Sequence, residues 1–270
     1  VMVLCLNRCS VEFKHHLMGE TTSKERKGQE KDDDKKTPDD KDEDDENKLL
    51  NPKTLEKAER WEDLRPILQS FFRSTLNVLA EAKEPGLLVV VLKSLAKYAR
   101  FLTPFPRIAE SFLKSLTKLW SAPVDSTEDY QVVRLNAFFR IRQLALTQPF
   151  PFIEECLKKT YLAYAKRAKF GSSVGNSPAL PTLTFMGNCL VEIYSLDFHS
   201  SYQHAFVYIR QLALLLRAAI QRKTPEAVQQ VYCWQYLQCL KLWVAVLSSA
   251  APSEDGAMMR SLIYPLTEII

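Results

Sequence analysis

The sequence predicts an all-α fold, built as an irregular HEAT- or armadillo-like α-solenoid. Glycine is scarce, with 7 residues in 270, whereas β-sandwiches, β-barrels and phosphate-binding α/β folds all use glycine at their turns. Apolar residues recur at helical spacing between short joints that contain proline. One joint also repeats, because Pro104-Phe105-Pro106 returns as Pro149-Phe150-Pro151 at an offset of 45 residues. That offset lies within the ~40–47-residue period of HEAT and armadillo units.

Each predicted element follows from a local signal. Val1–Met18 has the pattern of the end of a preceding helical repeat, and residues 51–270 form a HEAT-like repeat domain that we expect to be truncated at its C-terminus. Asn51-Pro52 and Thr224-Pro225 are caps followed by first-turn prolines. A loop rich in Gly, Ser, Asn and Pro covers Gly171–Pro181. The predicted helices are Asn51–Leu79, Gly86–Leu102, Arg107–Trp120, Ser126–Thr147, the segment from the second proline joint to Lys169, Leu183–Ser195, His199–Arg222 and Glu226–Ser249.

A charged segment separates the first helix from the repeat domain. Glu20–Lys48 contains 13 acidic and 8 basic residues, a net charge of −5, and no aliphatic or aromatic side chain. Such a segment cannot bury enough apolar surface to offset its chain entropy, so residues 19–50 are predicted to be a disordered insert. Like-charge runs are usually solvated. An acidic run beside a basic body is also typical of nuclear proteins that handle RNA or histones.

Membrane, disulfide and catalytic signatures are weak or absent. The best apolar candidate, Cys239–Ala251, is shorter than the ~18–20 residues that span a bilayer and carries Lys241. The six cysteines lie in apolar, helix-like stretches and are interpreted as buried thiols of an intracellular protein. Cys5-x3-Cys9 with His15-His16 lacks the second ligand pair of a zinc site. No nucleophile or phosphate-loop motif occurs, so the sequence predicts no enzyme, no cofactor and no small-molecule substrate.

Two helices near the C-terminus are too apolar for a simple surface role. Along Gln203–Gln221 the polar side chains form a narrow stripe at near-heptad spacing, and the next helix is rich in Tyr and Trp. Aromatic stripes at helical spacing usually belong to a core, but aromatic residues are also enriched where another chain docks. Both interpretations can hold for different faces of one helix. The candidate partner-binding residues are Tyr202, His204, Tyr208, Arg210, Gln211, Trp234 and Tyr236.

The first of these helices also contains an internal repeat. Ala137–Leu146 and Ala205–Leu214 are identical at eight of ten positions. Their offset of 68 residues is not a multiple of 45. We therefore expect the Gly171–Pro181 loop and a neighbouring helix to interrupt the period, since irregular spacing is normal in such solenoids.

Positive charge is concentrated between Cys156 and Pro225. Nine Lys and Arg residues stand there against Glu192 and Asp197. Phosphate contacts need charge more than sequence, so this stretch is a candidate site for RNA. A basic helix face is also often only a solvated surface. The candidate RNA-binding residues are Lys158, Lys159, Lys166, Arg167 and Lys169.

Several strings in the second half of the chain are long and unusual. They are Tyr161–Tyr164 with Lys169-Phe170, Ser201–Ala213, Val231–Leu240 and Leu262–Thr267. Together they resemble the nucleolar complex protein 2 family. The resemblance covers residues 64–270 well and residues 1–18 loosely, and the acidic insert is not part of it.

The resemblance implies a helical-repeat scaffold of the nucleolus and nucleoplasm, with no catalytic residue to carry over. It implies heterodimers with sister nucleolar complex proteins and association with precursors of the large (60S) ribosomal subunit during rRNA processing, maturation and transport. Direct contact with ribosomal RNA stays open, and no membrane partner is expected. Two alternatives remain. The acidic insert favours a chromatin- or histone-binding transcriptional regulator, and a karyopherin-type transport receptor would share the solenoid fold.

Overall fold

The computed structural model describes residues 2–18, 60–122, 128–169 and 179–270. All regular secondary structure in these residues is helical, which confirms the all-α prediction. The predicted disordered insert lies outside the described residues. The helices are α1 (Met2–Met18), α2 (Trp61–Glu81), α3 (Pro85–Leu95) with a 3₁₀ turn (Ala96–Tyr98), α4 (Pro106–Trp120), α5 (Glu128–Thr147), α6 (Phe152–Ala168), α7 (Ala179–Tyr194), α8 (Phe198–Arg222), α9 (Pro225–Val231), α10 (Trp234–Ala250), α11 (Ala257–Arg260) and α12 (Ile263–Ile269).

The helices belong to two compact units, Val1–Ser115 and Leu116–Ile270, and the division falls within α4. Among the helices in these ranges, none combines the length and the apolar character that a bilayer-spanning segment requires. The same residues contain no cluster of three or more potential metal ligands. The solenoid arrangement and the predicted domain boundaries stay predictions.

The first unit has an aromatic core. Phe13 of α1 packs edge-on against Tyr98, with 6.4 Å between the ring centroids. The Tyr98 hydroxyl donates a hydrogen bond to the carbonyl oxygen of Leu6. Phe105 follows the helix pair α2 and α3 and stacks on Trp61 at 5.8 Å. These contacts bury the apolar side of α1 against α3, so α1 is an integral part of this unit.

The second unit is organised around α10. Trp243 is completely buried, and its indole contacts one tyrosine from each of three other helices. The ring centroids lie 5.2 Å from Tyr161 of α6, 5.3 Å from Tyr194 of α7 and 6.2 Å from Tyr208 of α8. Aromatic pairs at such separations stabilise a core beyond the area that they bury. One side chain therefore holds four helices in register.

A buried arginine of α5 joins this helix to α4 and α7. Arg134 of α5 donates from Nε to the carbonyl oxygen of Trp120, 3.0 Å away, and from Nη1 to Oγ1 of Thr182, 3.2 Å away. The Trp120 carbonyl lies at the C-terminal end of α4, where helix carbonyls lack intrahelical partners. The guanidinium also lies 5.4 Å above the ring of Phe185. Burial, together with the charge of Arg167, lowers the pKa of Arg134.

Three predicted boundaries are wrong. The helix predicted over Gly86–Leu102 ends at Leu95, because the chain tightens into a 3₁₀ turn of the kind common at helix ends. Helix α7 begins at Ala179, inside the predicted loop Gly171–Pro181. Pro181 is tolerated there because first-turn N–H groups have no intrahelical acceptor.

The third correction concerns the predicted helix Glu226–Ser249, which is two helices. Cys233 is extended, with φ −138° and ψ 153°, and separates α9 from α10. The break allows α9 to pack on α8 while α10 enters the core. It also leaves Cys233 half-buried outside a helix. Cys156, Cys189 and Cys239 are buried thiols as predicted, and all five described cysteines are free.

We expect Trp243→Ala to lower the free energy of unfolding by about 3–5 kcal/mol, because truncating a fully buried aromatic leaves a cavity. Urea unfolding followed by circular dichroism measures the loss. Trp234→Ala is the matched control, since Trp234 is on the same helix and half-exposed, and it should cost at most about 1 kcal/mol. Equal losses for the two variants would contradict a central role for Trp243.

Candidate protein-interaction surface

The ends of α8 are fixed by side chains and backbone. Asp197 caps the helix, because Oδ1 accepts from the His199 N–H at 3.0 Å and Oδ2 accepts from the Ser200 hydroxyl at 2.6 Å. The Ser201 hydroxyl donates to the carbonyl oxygen of Tyr194, 2.7 Å away, at the end of α7. At the other end Lys223 adopts a left-handed conformation, with φ 53°. The helix therefore begins and ends at defined points.

Helix α8 has two contrasting faces. Ala205, Ile209 and Leu212 are buried and turned toward α6 and α10. The opposite side is exposed and follows a helical spacing of three and four residues, which places its members along one line on the helix. We call this line the α8 ridge, and its members are Gln203, Val207, Arg210, Leu214, Arg217 and Gln221.

The α8 ridge combines apolar and cationic groups. Val207 and Leu214 are about half-exposed, and Phe206 borders them. From Phe198 to Arg222 the helix contains no Asp or Glu. Among the residues that the structure describes, neither Arg210 nor Arg217 has a carboxylate within salt-bridge distance. The ridge can therefore bind an apolar surface that also carries negative charge.

Some of the predicted partner-binding residues are exposed, one of them on the α8 ridge, and others are buried. Arg210 and Gln211 are exposed, and Trp234 is half-exposed at the start of α10. Tyr236 is only 5% exposed, and its hydroxyl donates to the carbonyl oxygen of Leu212 at 3.3 Å. Tyr236 therefore packs mainly in the core, where it faces from α10 toward α8, and it also lines the groove described below, so its role in partner binding stays a prediction.

The other three predicted residues lie at the edge between core and surface. Tyr202 is half-buried and stacks on Phe206, with 6.4 Å between the centroids. Tyr208 lies 4.0 Å from the ring of Tyr161 and shares the Trp243 cluster. His204 is half-buried beside Tyr208, and its burial lowers the pKa of the imidazole. Tyr208 therefore supports the core directly and His204 supports it through Tyr208, whereas Tyr202 stacks on a residue that is itself about half-exposed.

An apolar groove adjoins the N-terminal end of α10. It has a volume of about 470 Å³ and lies between α8, the α9–α10 junction and α12. Tyr232 projects almost fully into solvent at its margin. Its lining residues include Leu216, Tyr232, Trp234, Leu237, Leu240 and Ile269.

The predicted RNA-binding residues all lie on or just after α6 but do not form one uniform patch. Lys158, Lys166 and Lys169 are exposed, and at 3.6 residues per turn they lie within an arc of about 80°. Lys159 pairs with Glu155, with 3.3 Å between Nζ and Oε2. Arg167 lies on a different side of the helix and is half-buried, close enough to Arg134 to affect its pKa.

Sequence reasoning missed several residues of the α8 ridge. The ridge residues Val207 and Leu214 and the bordering Phe206 are apolar, so the pattern assigns them to the core along with the rest of the helix, although all three are about half-exposed. The signal that could have found the ridge is the seven-residue spacing of Arg210 and Arg217. Residues seven apart share a helix face, so the apolar residues between them on that face are exposed as well.

Comparison with known proteins identifies the family. Residues 151–270 match the model of the Noc2p family. Nucleolar complex protein 2 of Drosophila melanogaster is 36% identical over 215 residues, which cover 80% of this chain and 26% of the relative. Nucleolar complex-associated protein 2 of Arabidopsis thaliana is 31% identical over 217 residues, with coverages of 80% and 27%. The nucleolar complex protein 2 homolog of Caenorhabditis elegans is 26% identical over 204 residues, with coverages of 75% and 27%.

The chain therefore belongs to the Noc2p family, as the strings in its second half predict. It spans about a quarter of the length of these curated relatives. The matched residues 151–270 contain α6 to α12, and so both the α8 ridge and the basic end of α6.

Asp197→Ala should lower the free energy of unfolding by about 1 kcal/mol, because the first turn of α8 loses its side-chain acceptor. Chemical denaturation of the wild-type chain and the variant measures the difference. Asp197→Ser is the matched control, since a serine hydroxyl can also accept from the first-turn N–H groups. If the alanine variant has the same free energy of unfolding as the wild type, the Asp197 cap does not stabilise α8.

Proposed function

We propose that this chain is part of a non-catalytic scaffold that acts in the nucleolus and nucleoplasm during assembly and intranuclear transport of pre-60S ribosomal particles. The names of the family relatives support a place in a nucleolar complex. The observation that carries the proposal is the α8 ridge, which is exposed and acid-free on a helix whose other face is core. Exposed apolar residues grouped on one face of a helix are typical of protein-interaction surfaces, which supports the proposal.

The scaffold pairs with a sister nucleolar complex protein through this surface. Exposed apolar residues in the centre of the ridge supply buried area, and the arginines supply orientation and partner selection. The half-exposed Trp234 and the groove beside it offer a separate apolar surface, which α8 lines with Leu216 on the side of the helix away from the ridge. Stacked helical repeats of HEAT type would present the α8 ridge in an extended array.

Reversal of two ridge charges should disrupt the heterodimer. Arg210→Glu with Arg217→Glu in the tagged full-length protein should reduce recovery of a sister nucleolar complex protein at least about tenfold, which corresponds to about 1.4 kcal/mol of binding. Affinity purification from nuclear extract with quantitative mass spectrometry measures the recovery.

Arg222→Glu is the control for this experiment. Arg222 is exposed on the same helix, but it lies about 100° away from the ridge in helical projection. The Arg222→Glu variant should leave recovery of the sister nucleolar complex protein unchanged. Full recovery with the double variant would exclude the α8 ridge as the heterodimer surface.

The basic side of α6 is proposed to contact ribosomal RNA phosphates. Changing Lys158, Lys159, Lys166 and Lys169 to Glu should lower association with pre-ribosomal RNA and reduce its salt dependence, because fewer counterions are released. Co-purified precursor RNA, measured across a salt series, gives both effects. The same four positions changed to Arg keep their charge and should retain binding. Unchanged association of the Glu variant would remove RNA from the proposal.

A histone- or chromatin-binding regulator is the second candidate, and the net charge of −5 over residues 20–48 favours it. Deletion of residues 20–48 separates the two functions. Loss of histone binding with intact recovery of precursor ribosomal RNA would assign histone binding to this segment alone. Recovery of histones without ribosomal RNA from the intact protein would instead favour the regulator.

A further inference from the structure

We propose that α5 and α8 present two copies of one docking ridge, and that each ridge binds an acidic amphipathic helix of a partner protein. The inference rests on the proposed function in taking α8 as a docking surface, and it adds a second site and the chemistry of the occupant.

The two ridges occupy equivalent positions in the repeated strings Ala137–Leu146 and Ala205–Leu214. Phe139 and Val207 are 46% and 49% exposed, and Leu146 and Leu214 are 58% and 51% exposed. Arg142 and Arg210 are exposed between them on both helices. We call the first set the α5 ridge, which consists of Leu135, Phe139, Arg142 and Leu146.

Packing alone explains why the two strings have identical residues on the buried faces of α5 and α8. Ala137, Ile141 and Leu144 are buried on α5, and their counterparts Ala205, Ile209 and Leu212 are buried on α8. Both helices contact α6, so both belong to the same packed unit. Interiors are close-packed, and changes of even one methylene at these positions are costly.

Packing does not explain why the two strings also have identical residues on their exposed faces. An exposed side chain away from special features can usually be replaced with little effect on stability. Arg142 nevertheless matches Arg210, and the exposed Leu146 matches Leu214. An exposed arginine and an exposed leucine in the same register on two helices indicate one kind of ligand for both.

The chemistry of the ridges defines that ligand. Each ridge carries exposed arginine, Arg142 on α5 and Arg210 with Arg217 on α8, and no Asp or Glu follows Asp129 on α5 or occurs on α8. Within the described part of the chain, Arg142 and Arg210 have no carboxylate at salt-bridge distance. Side chains repeated at three- and four-residue spacing pack into the grooves of another helix. The occupant is therefore a helix with an apolar stripe bordered by Asp or Glu.

The acidic segment of this chain does not fit the ridges. Glu20–Lys48 supplies 13 carboxylates but no aliphatic or aromatic side chain to cover Phe139, Leu146, Val207 or Leu214. Covering these residues requires a helix with apolar side chains of its own. The occupant is assigned to a partner protein.

Photo-crosslinking at equivalent ridge positions tests the proposal. The photoreactive amino acid p-benzoylphenylalanine replaces Phe139 in one variant of the tagged full-length protein and Val207 in another. After irradiation in nuclear extract, mass spectrometry identifies the crosslinked peptides. Both positions should crosslink to protein segments with apolar residues at three- and four-residue spacing and a net negative charge. The same substitution at Ile67, an exposed residue on α2, is the control and should not give these segments.

Charge reversal tests the equivalence of the ridges. Arg142→Glu and Arg210→Glu should each reduce recovery of the crosslinked partner about tenfold, and the double variant about a hundredfold, because distant sites add in free energy. If Arg210→Glu lowers recovery of the partner and Arg142→Glu does not, the two-ridge inference is wrong and the proposed function still stands. Crosslinks to RNA, to basic segments or to residues 20–48 would overturn the assigned occupant. Acidic helices at both ridges from proteins outside any nucleolar complex would support the inference and overturn the proposed function.

Discussion

The burial of Trp243 among three tyrosines is the constraint on which the second unit depends. Tyr161, Tyr194 and Tyr208 come from three different helices, and each ring must keep its position for the indole to be covered. Burial raises the pKa of Tyr161 and Tyr194, so these phenols stay neutral inside the cluster. Because helices are rigid, fixing the inward faces of α6, α7 and α8 also fixes the direction in which their outward faces point.

Polar contacts at the helix ends add to the packing of the aromatic cluster. The buried guanidinium of Arg134 satisfies the Trp120 carbonyl at the end of α4 and reaches Thr182 in the first turn of α7. Asp197 in turn fixes the start of α8. These groups lie at helix ends, where backbone groups need partners from outside the helix. Apolar packing therefore sets which helices meet, and polar contacts set where each helix begins or ends.

The sequence predicts the class of fold and most helices, because proline joints and 3.6-residue periodicity are local signals. It does not predict the break at Cys233, since nothing in the local pattern shows that α9 packs on α8 while α10 enters the core. It also does not predict that Tyr236 is buried, because a tyrosine in an aromatic helix can face either way and only its contact with Leu212 decides. The same ambiguity applies to Leu214, because its apolar side chain predicts a core position although it is exposed. Family membership, in contrast, follows from unusual strings that need no knowledge of packing.

The two faces of α8 have a thermodynamic consequence. The helix that carries the exposed ridge also buries Ala205, Ile209 and Leu212, so the ridge exists only while the second unit is folded. Any molecule that binds the ridge of the folded form alone shifts the folding equilibrium by mass action, by about 2.7 kcal/mol at a free concentration of 100 times its Kd. Abundance in the cell follows the unfolded fraction, because proteases act on unfolded chains. On the proposed function, the level of this protein therefore rises with the supply of the partner that binds the α8 ridge.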